Sequence, residues 1–218
     1  MLTFLPLALG LALQPSVRAQ APRILYISRE FWKPDHEADL NRIEAEAARI
    51  CIGLGVPHPY LGIESLSGSK EVWYINGFTS TEELAQITEA YNKKQELLAA
   101  MNRFAQQRAE FMSQPNDERS ATYRPELSRG AEWEMGRERF LVIAVTKGDP
   151  HTDATVFESQ DGTRFVMTTA KTRTEADAKL SAAGEDAKIF TVRPEFSMPA
   201  TEWIASDPSF WDSKPQKK

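Results

Sequence analysis

Tyr123-Arg124-Pro125-Glu126-Leu127-Ser128 returns in the chain as Val192-Arg193-Pro194-Glu195-Phe196-Ser197, with Trp133 and Trp203 following at nearly the same distance. In both places an amphipathic stretch comes first, and a strand-like run then leads into Arg-Pro-Glu. Proline has no N–H to give a ladder, so each copy marks the place where a strand stops pairing. Arg and Glu beside it can bridge to a neighbouring segment. The echo predicts two related α/β units joined in the 130s. The alternative is a single mixed sheet in which the wording coincides.

Working outward, Ile24-Leu25-Tyr26-Ile27 is a continuous apolar run with β-branched members, as expected of a covered strand. Lys33-Pro34-Asp35 ends it, and Asp35 is placed to cap a helix. From His36 to Leu54, apolar residues at 40, 43, 47, 50, 51 and 54 keep a helical interval, with Arg42, Glu44, Glu46 and Arg49 largely elsewhere. Tyr60–Leu66 and Lys70–Phe78 around Ser67-Gly68-Ser69 read as a hairpin. Ser80 or Thr81 caps a further helix carrying Leu84, Ile87 and Tyr91. A kink at Asn92-Lys93 leads to a second stretch with Leu97, Met101, Phe104 and Phe111. Pro115-Asn116-Asp117 ends that stretch, and Ala121–Leu127 is the last strand of the unit. The order is βαββαβ, the ferredoxin-like arrangement.

Arg139–Val145 opens the second unit, but only Lys147–Ala154 precedes its hairpin, too little for a first helix. Gln160-Asp161-Gly162 is the hairpin turn, since Asp-Gly tolerates positive φ. Thr174–Ala183 is a short helix ended by Gly184, and Lys188–Val192 closes the unit. The reading is an α+β chain: residues 1–19 a signal peptide, 20–130 a ferredoxin-like unit, and 131–218 a shortened ββαβ-type unit with an aromatic C-terminal arm. Trp203, Phe210 and Trp211 in that arm would each bury roughly 150–250 Å² when covered.

Lys70-Glu-Val-Trp-Tyr-Ile-Asn-Gly-Phe-Thr-Ser80, followed by an acidic helix, resembles the dimeric α/β-barrel superfamily, with its NIPSNAP-like proteins and antibiotic-biosynthesis monooxygenases. Ser206-Asp-Pro-Ser-Phe-Trp211 adds to the likeness. The resemblance implies two facing sheets, from a homodimer or from two halves of one chain as an intramolecular pseudo-dimeric barrel. It also implies a small organic ligand or haem between sheet and helices. It carries over no catalytic residue, because no residue-specific motif is matched.

Leu2–Leu13 is an apolar run of about 12 residues, too short to span a bilayer, and Val17-Arg18-Ala19 comes after it like a cleavage site. The expectation is export, to a periplasmic or secreted location. A net charge of −5 without a concentrated basic face argues against nucleic acid as a partner. Cys51 is the only cysteine, which rules out an intrachain disulfide and suits a buried thiol.

No metal motif, nucleotide loop or nucleophile with a neighbouring base is present, so no cofactor is expected beyond the haem alternative and no reaction is assigned. Alternation places Leu61, Ile63, Trp73 and Ile75 beneath the first unit's helices. Tyr26, Glu64, Tyr74 and Asn76 then fall on the opposite face, as a pocket for an apolar ligand with a polar tip or as a seam against the second unit. His36 sits among carboxylates at a helix start, where capping competes with metal binding. His58, between two prolines, is a loop anchor or an axial haem ligand.

Overall fold

The apolar run at Ile24 forms β1 (Ile24–Trp32), whose alternate residues Leu25 and Ile27 are fully buried. It is followed by α1 (Glu37–Gly53), β2 (Leu61–Ser65), β3 (Glu71–Phe78), α2 (Thr81–Asn92), α3 (Gln95–Arg108) and β4 (Met112–Tyr123). The second run is β5 (Phe140–Thr146), β6 (Thr155–Ser159), β7 (Arg164–Ala170), α4 (Arg173–Ala183) and β8 (Ala187–Val192), ending in α5 (Thr201–Ser206) and α6 (Pro208–Trp211). The computed structural model describes residues 21–129, 133, 135–149 and 153–212. The expected leader, His151 and the terminal lysines lie outside them.

The strands form one closed antiparallel barrel in the order β1-β3-β2-β8-β5-β7-β6-β4. The ring is continuous within a single chain, where the resemblance implied two facing sheets. The first run places β4-β1-β3-β2 side by side and the second β8-β5-β7-β6. Three strands precede α4, so the second run is βββαβ and not ββαβ. No α1 counterpart occurs between β5 and β6 among the described residues.

The Arg-Pro-Glu copies sit at the two joins. At one, β2 pairs β8 from Ile63↔Val192 to Ser65↔Phe190; at the other, β4 pairs β6 from Ala121↔Ser159 to Tyr123↔Phe157. Arg193 N–H donates to Gly62 O and Arg124 N–H to Val156 O, both at 2.9 Å. Ser197 Oγ accepts from Gly62 N–H at 2.9 Å and donates to Arg193 O at 2.7 Å. Ser128 Oγ accepts from Val156 N–H at 3.0 Å and donates to Arg124 O at 2.8 Å. Arg193 pairs with Glu64 on β2 and Arg124 with Glu158 on β6, so each arginine crosses a join.

The barrel is filled, as eight-stranded barrels are. Trp73 stacks edge-on against Phe165 at 6.0 Å and lies 4.9 Å from Phe190. Trp133, Trp203 and Trp211 belong to the same cluster, so the C-terminal arm packs into this core. Leu61, Ile63, Trp73 and Ile75 therefore point into the barrel, and the expected assignment of faces is reversed. Alternation separates two faces but does not say which one the helices take. In a closed barrel the denser apolar face turns inward, and α1 and α3 cover the other through Trp32, Leu40, Ile43, Val72 and Phe104.

Two local expectations also change. Residue His36 is the N-cap of α1, without a side-chain cap bond, and Asp35 takes a left-handed φ of 67°. Pro115 lies inside β4 instead of ending a helix. The register with β1 shifts between Arg29↔Asp117 and Phe31↔Gln114, leaving Pro115 in a bulge on a stretch that lacks a second strand neighbour.

Candidate functional site

Reversing the faces turns Tyr26, Tyr74 and Asn76 toward the helices, where the packing is incomplete. A cavity of about 540 Å³ lies between the outer face of β1, β3 and β4 and the three helices α1, α2 and α3. Helix α2 is properly started, with Ser80 Oγ accepting from Glu83 N–H at 3.2 Å and Glu83 Oε2 accepting from Thr79 N–H at 2.7 Å. Yet none of its residues is buried. Its apolar stripe, Leu84, Ile87 and Tyr91, faces the cavity instead of a packed core.

The polar end of the cavity is built from three elements. Glu30 on β1 is 1% exposed and Glu44 on α1 is 2% exposed. Between them Arg108, from the last turn of α3, reaches Glu30 Oε1 at 2.9 Å and Glu44 Oε1 at 3.5 Å. The Tyr74 hydroxyl donates to Glu44 Oε2. Glu30 Oε2 is buried without a well-formed hydrogen bond, with Trp32 and Asn116 as polar neighbours of the carboxyl. Burial raises the Glu30 carboxyl to about 8, helped by the neighbouring Glu44 and opposed by Arg108. Glu44 is raised by the same desolvation, and burial beside Glu44 lifts the Tyr74 hydroxyl well above the ordinary phenol range.

The remaining wall is aromatic. Tyr60 meets Tyr74 edge-on at 5.8 Å, Tyr91 overhangs from α2, and Tyr26 at the mouth donates to Glu118 Oε2 at 2.7 Å. Burial raises Tyr91 to about 12 and Tyr60 well above its usual value. Cys51 lines the same space, and burial pushes its thiol up too.

Of the six residues singled out in the sequence, Tyr26, Tyr74, Asn76 and His58 line this cavity. Asn76 Nδ2 donates to Pro59 O at 3.1 Å and so fixes the loop that carries His58. Glu64 is elsewhere: it is buried and paired with Lys70 and Arg193 at the β2–β8 join. His36 lies outside too, 3.5 Å from Asp39 Oδ2 and 4.9 Å from the Phe111 ring.

Glu30, Glu44, Arg108, Tyr60 and Tyr91 carry the site and were not singled out. Glu44 falls four after Leu40 and three before Ala47, on the buried stripe, and Arg108 falls four after Phe104. A charge on an apolar stripe is the signal that marks them.

His58 Nε2 is 2.9 Å from Gly77 O and its ring stacks 4.5 Å from Phe78, which holds the imidazole against the wall. Among the described residues no cluster of three His, Cys, Asp or Glu could hold a metal ion, and no helix is long and apolar enough to cross a membrane.

No family model matches the sequence, and no curated protein does. The chain is similar to several solved structures. One is a candidate monooxygenase from Fusobacterium nucleatum subsp. nucleatum, at 10% identity and a TM-score of 0.46, covering 82% of this chain and 94% of that one. Another is an anthrone oxidase-like protein, at 12% identity and a TM-score of 0.46 over 81% and 94%. A third is a mutant chlorite dismutase from Candidatus Nitrospira defluvii in complex with cyanide, at 10% identity and a TM-score of 0.40 over 80% and 92%.

Proposed function

We propose that this chain binds a small, mostly apolar organic molecule in the cavity under α2, with the polar tip of the molecule at Glu30. The observation that supports it most is the pairing of an amphipathic helix that buries none of its residues with a cavity ending at a buried carboxylate oxygen without a well-formed hydrogen bond. A cavity that size is large enough for a drug-sized ligand, and its lining of aromatic side chains with few polar groups is the usual make-up of such sites. A thermal-shift screen of small aromatic compounds tests it. Hits should raise the melting temperature of the wild type and lose most of that shift in Tyr74→Phe and Glu30→Gln. Equal shifts in both variants would move the ligand elsewhere.

One observation favours a second reading, catalysis by proton transfer. Glu30 titrates near the working pH range beside Glu44 and the Tyr74 hydroxyl, and such perturbed groups cluster at active sites. Substrate-dependent oxygen uptake by the purified protein would identify its monooxygenase-type form.

Two broader proposals accompany the site. The barrel is an intramolecular pseudo-dimer, a reading supported by the matching strand orders and by the paired Arg124 and Arg193 joins. The protein acts in the periplasm or outside the cell, supported by the leader-like residues 1–19, and N-terminal sequencing of the exported fraction should begin at Gln20.

A further inference from the structure

Resting on the reading of this cavity as a ligand site, we propose that its ligand is an organic cation, a protonated amine or alkylammonium group on an aromatic-sized apolar body. The charges lining the cavity carry the argument. Glu30 and Glu44 lie at its floor and Glu118 at its mouth, against one arginine, Arg108. Both terminal nitrogens of Arg108 are already engaged by Glu30 and Glu44, so it has little positive charge to offer an anion. An anionic ligand would meet three carboxyl groups. A ligand with no polar tip would leave Glu30 Oε2 buried and unanswered. An ammonium group answers that oxygen, and Tyr26, Tyr60, Tyr74 and Tyr91 line the same space with aromatic rings, whose π-systems attract a cation.

The site should then couple binding to proton release. Around Glu30 stand Glu44 from α1, Arg108 from α3, Tyr74 from β3, and Asn116 and Glu118 from β4. Tyr91 of α2 and His58 of the loop before β2 complete the surroundings. Without a ligand, desolvation keeps the Glu30 carboxyl protonated up to about pH 8. An arriving ammonium favours the carboxylate, so below that pH a proton must leave as the ligand enters. Affinity therefore rises with pH, by up to about tenfold per unit, and levels off once Glu30 is ionised.

Calorimetry on the full chain with three matched probes tests this: 2-phenylethylamine, 2-phenylethanol and 3-phenylpropionate, between about pH 6 and about pH 9. The amine should bind at least about tenfold more tightly than the alcohol above pH 8. That advantage should shrink toward pH 6, the heat should depend on buffer ionisation enthalpy, and Glu30→Gln should remove the preference for the amine over the alcohol. Alcohol or carboxylate binding as tightly as the amine would overturn the cation inference and leave the ligand site standing. Failure of all three probes to bind would overturn both.

Discussion

Glu30 holds a proton in the folded chain that it would lose when unfolded at neutral pH. Its carboxyl is raised from the ordinary carboxylate range to about 8, first by burial and then by Glu44. Between those two values the native state binds more protons than the unfolded state, so stability falls as pH rises. This contribution is fully present below the ordinary carboxyl range and is lost as pH passes through about 8. Urea denaturation of the ligand-free protein should therefore show stability declining by on the order of several kcal/mol across that window. Glu30→Gln, which keeps the shape without the charge, should flatten the curve. A profile equally steep in the variant would assign the effect to other groups. Tyr26, Tyr74 and Asn76 were legible as sharing one face of the sheet because strand alternation restricts where they point, though not that this face meets the helices. Glu44 and Arg108 were not legible, because helix periodicity marks a buried stripe by its apolar members and says nothing of which charges share it.

Two elements meet closely where the second Arg-Pro-Glu copy lands. A Cβ added at Gly62 on β2 would lie 2.7 Å from Phe196 O and 2.8 Å from Phe196 Cβ, with backbone that cannot swing away. Gly62→Ala should cost about 1–3 kcal/mol in denaturant titration. Gly53 is the matched control: at the end of α1 nothing lies within 4 Å of an added Cβ, and Gly53→Ala should be neutral or stabilising by less than about 1 kcal/mol. Ser197→Ala at the same join would leave Gly62 N–H and Arg193 O without the hydroxyl they share, and should also destabilise by about 1–3 kcal/mol. Helices and strands themselves were largely legible from apolar spacing and turn chemistry. Strand β4 was the exception: Pro115 and a run of polar residues hide its start, since one flank of Met112–Ser120 faces no strand.

At the scale of the molecule, the echo of Arg-Pro-Glu carried more information than any single element, because it sits at both seams of one ring. Closure itself was not legible, as local patterns do not say which strand edges will meet. The C-terminal arm belongs to that closure. Trp203 is 7% exposed within the barrel cluster, and Trp211 Nε1 donates to Gly136 O at 3.2 Å. Removing residues 199–218 should abolish the cooperative thermal transition, read by near-ultraviolet circular dichroism. A truncated chain that melts like the full one would detach the arm from the core.

On the proposed reading, α2 roofs a ligand cavity instead of closing a core. Hydrogen exchange on the full chain, free and with 2-phenylethylamine, tests it most directly. Amides of Thr81–Asn92 should exchange faster than those of α1 and α3 in the free protein and slow when the amine is added. Slow exchange of α2 in the free protein, or no change on binding, would contradict it.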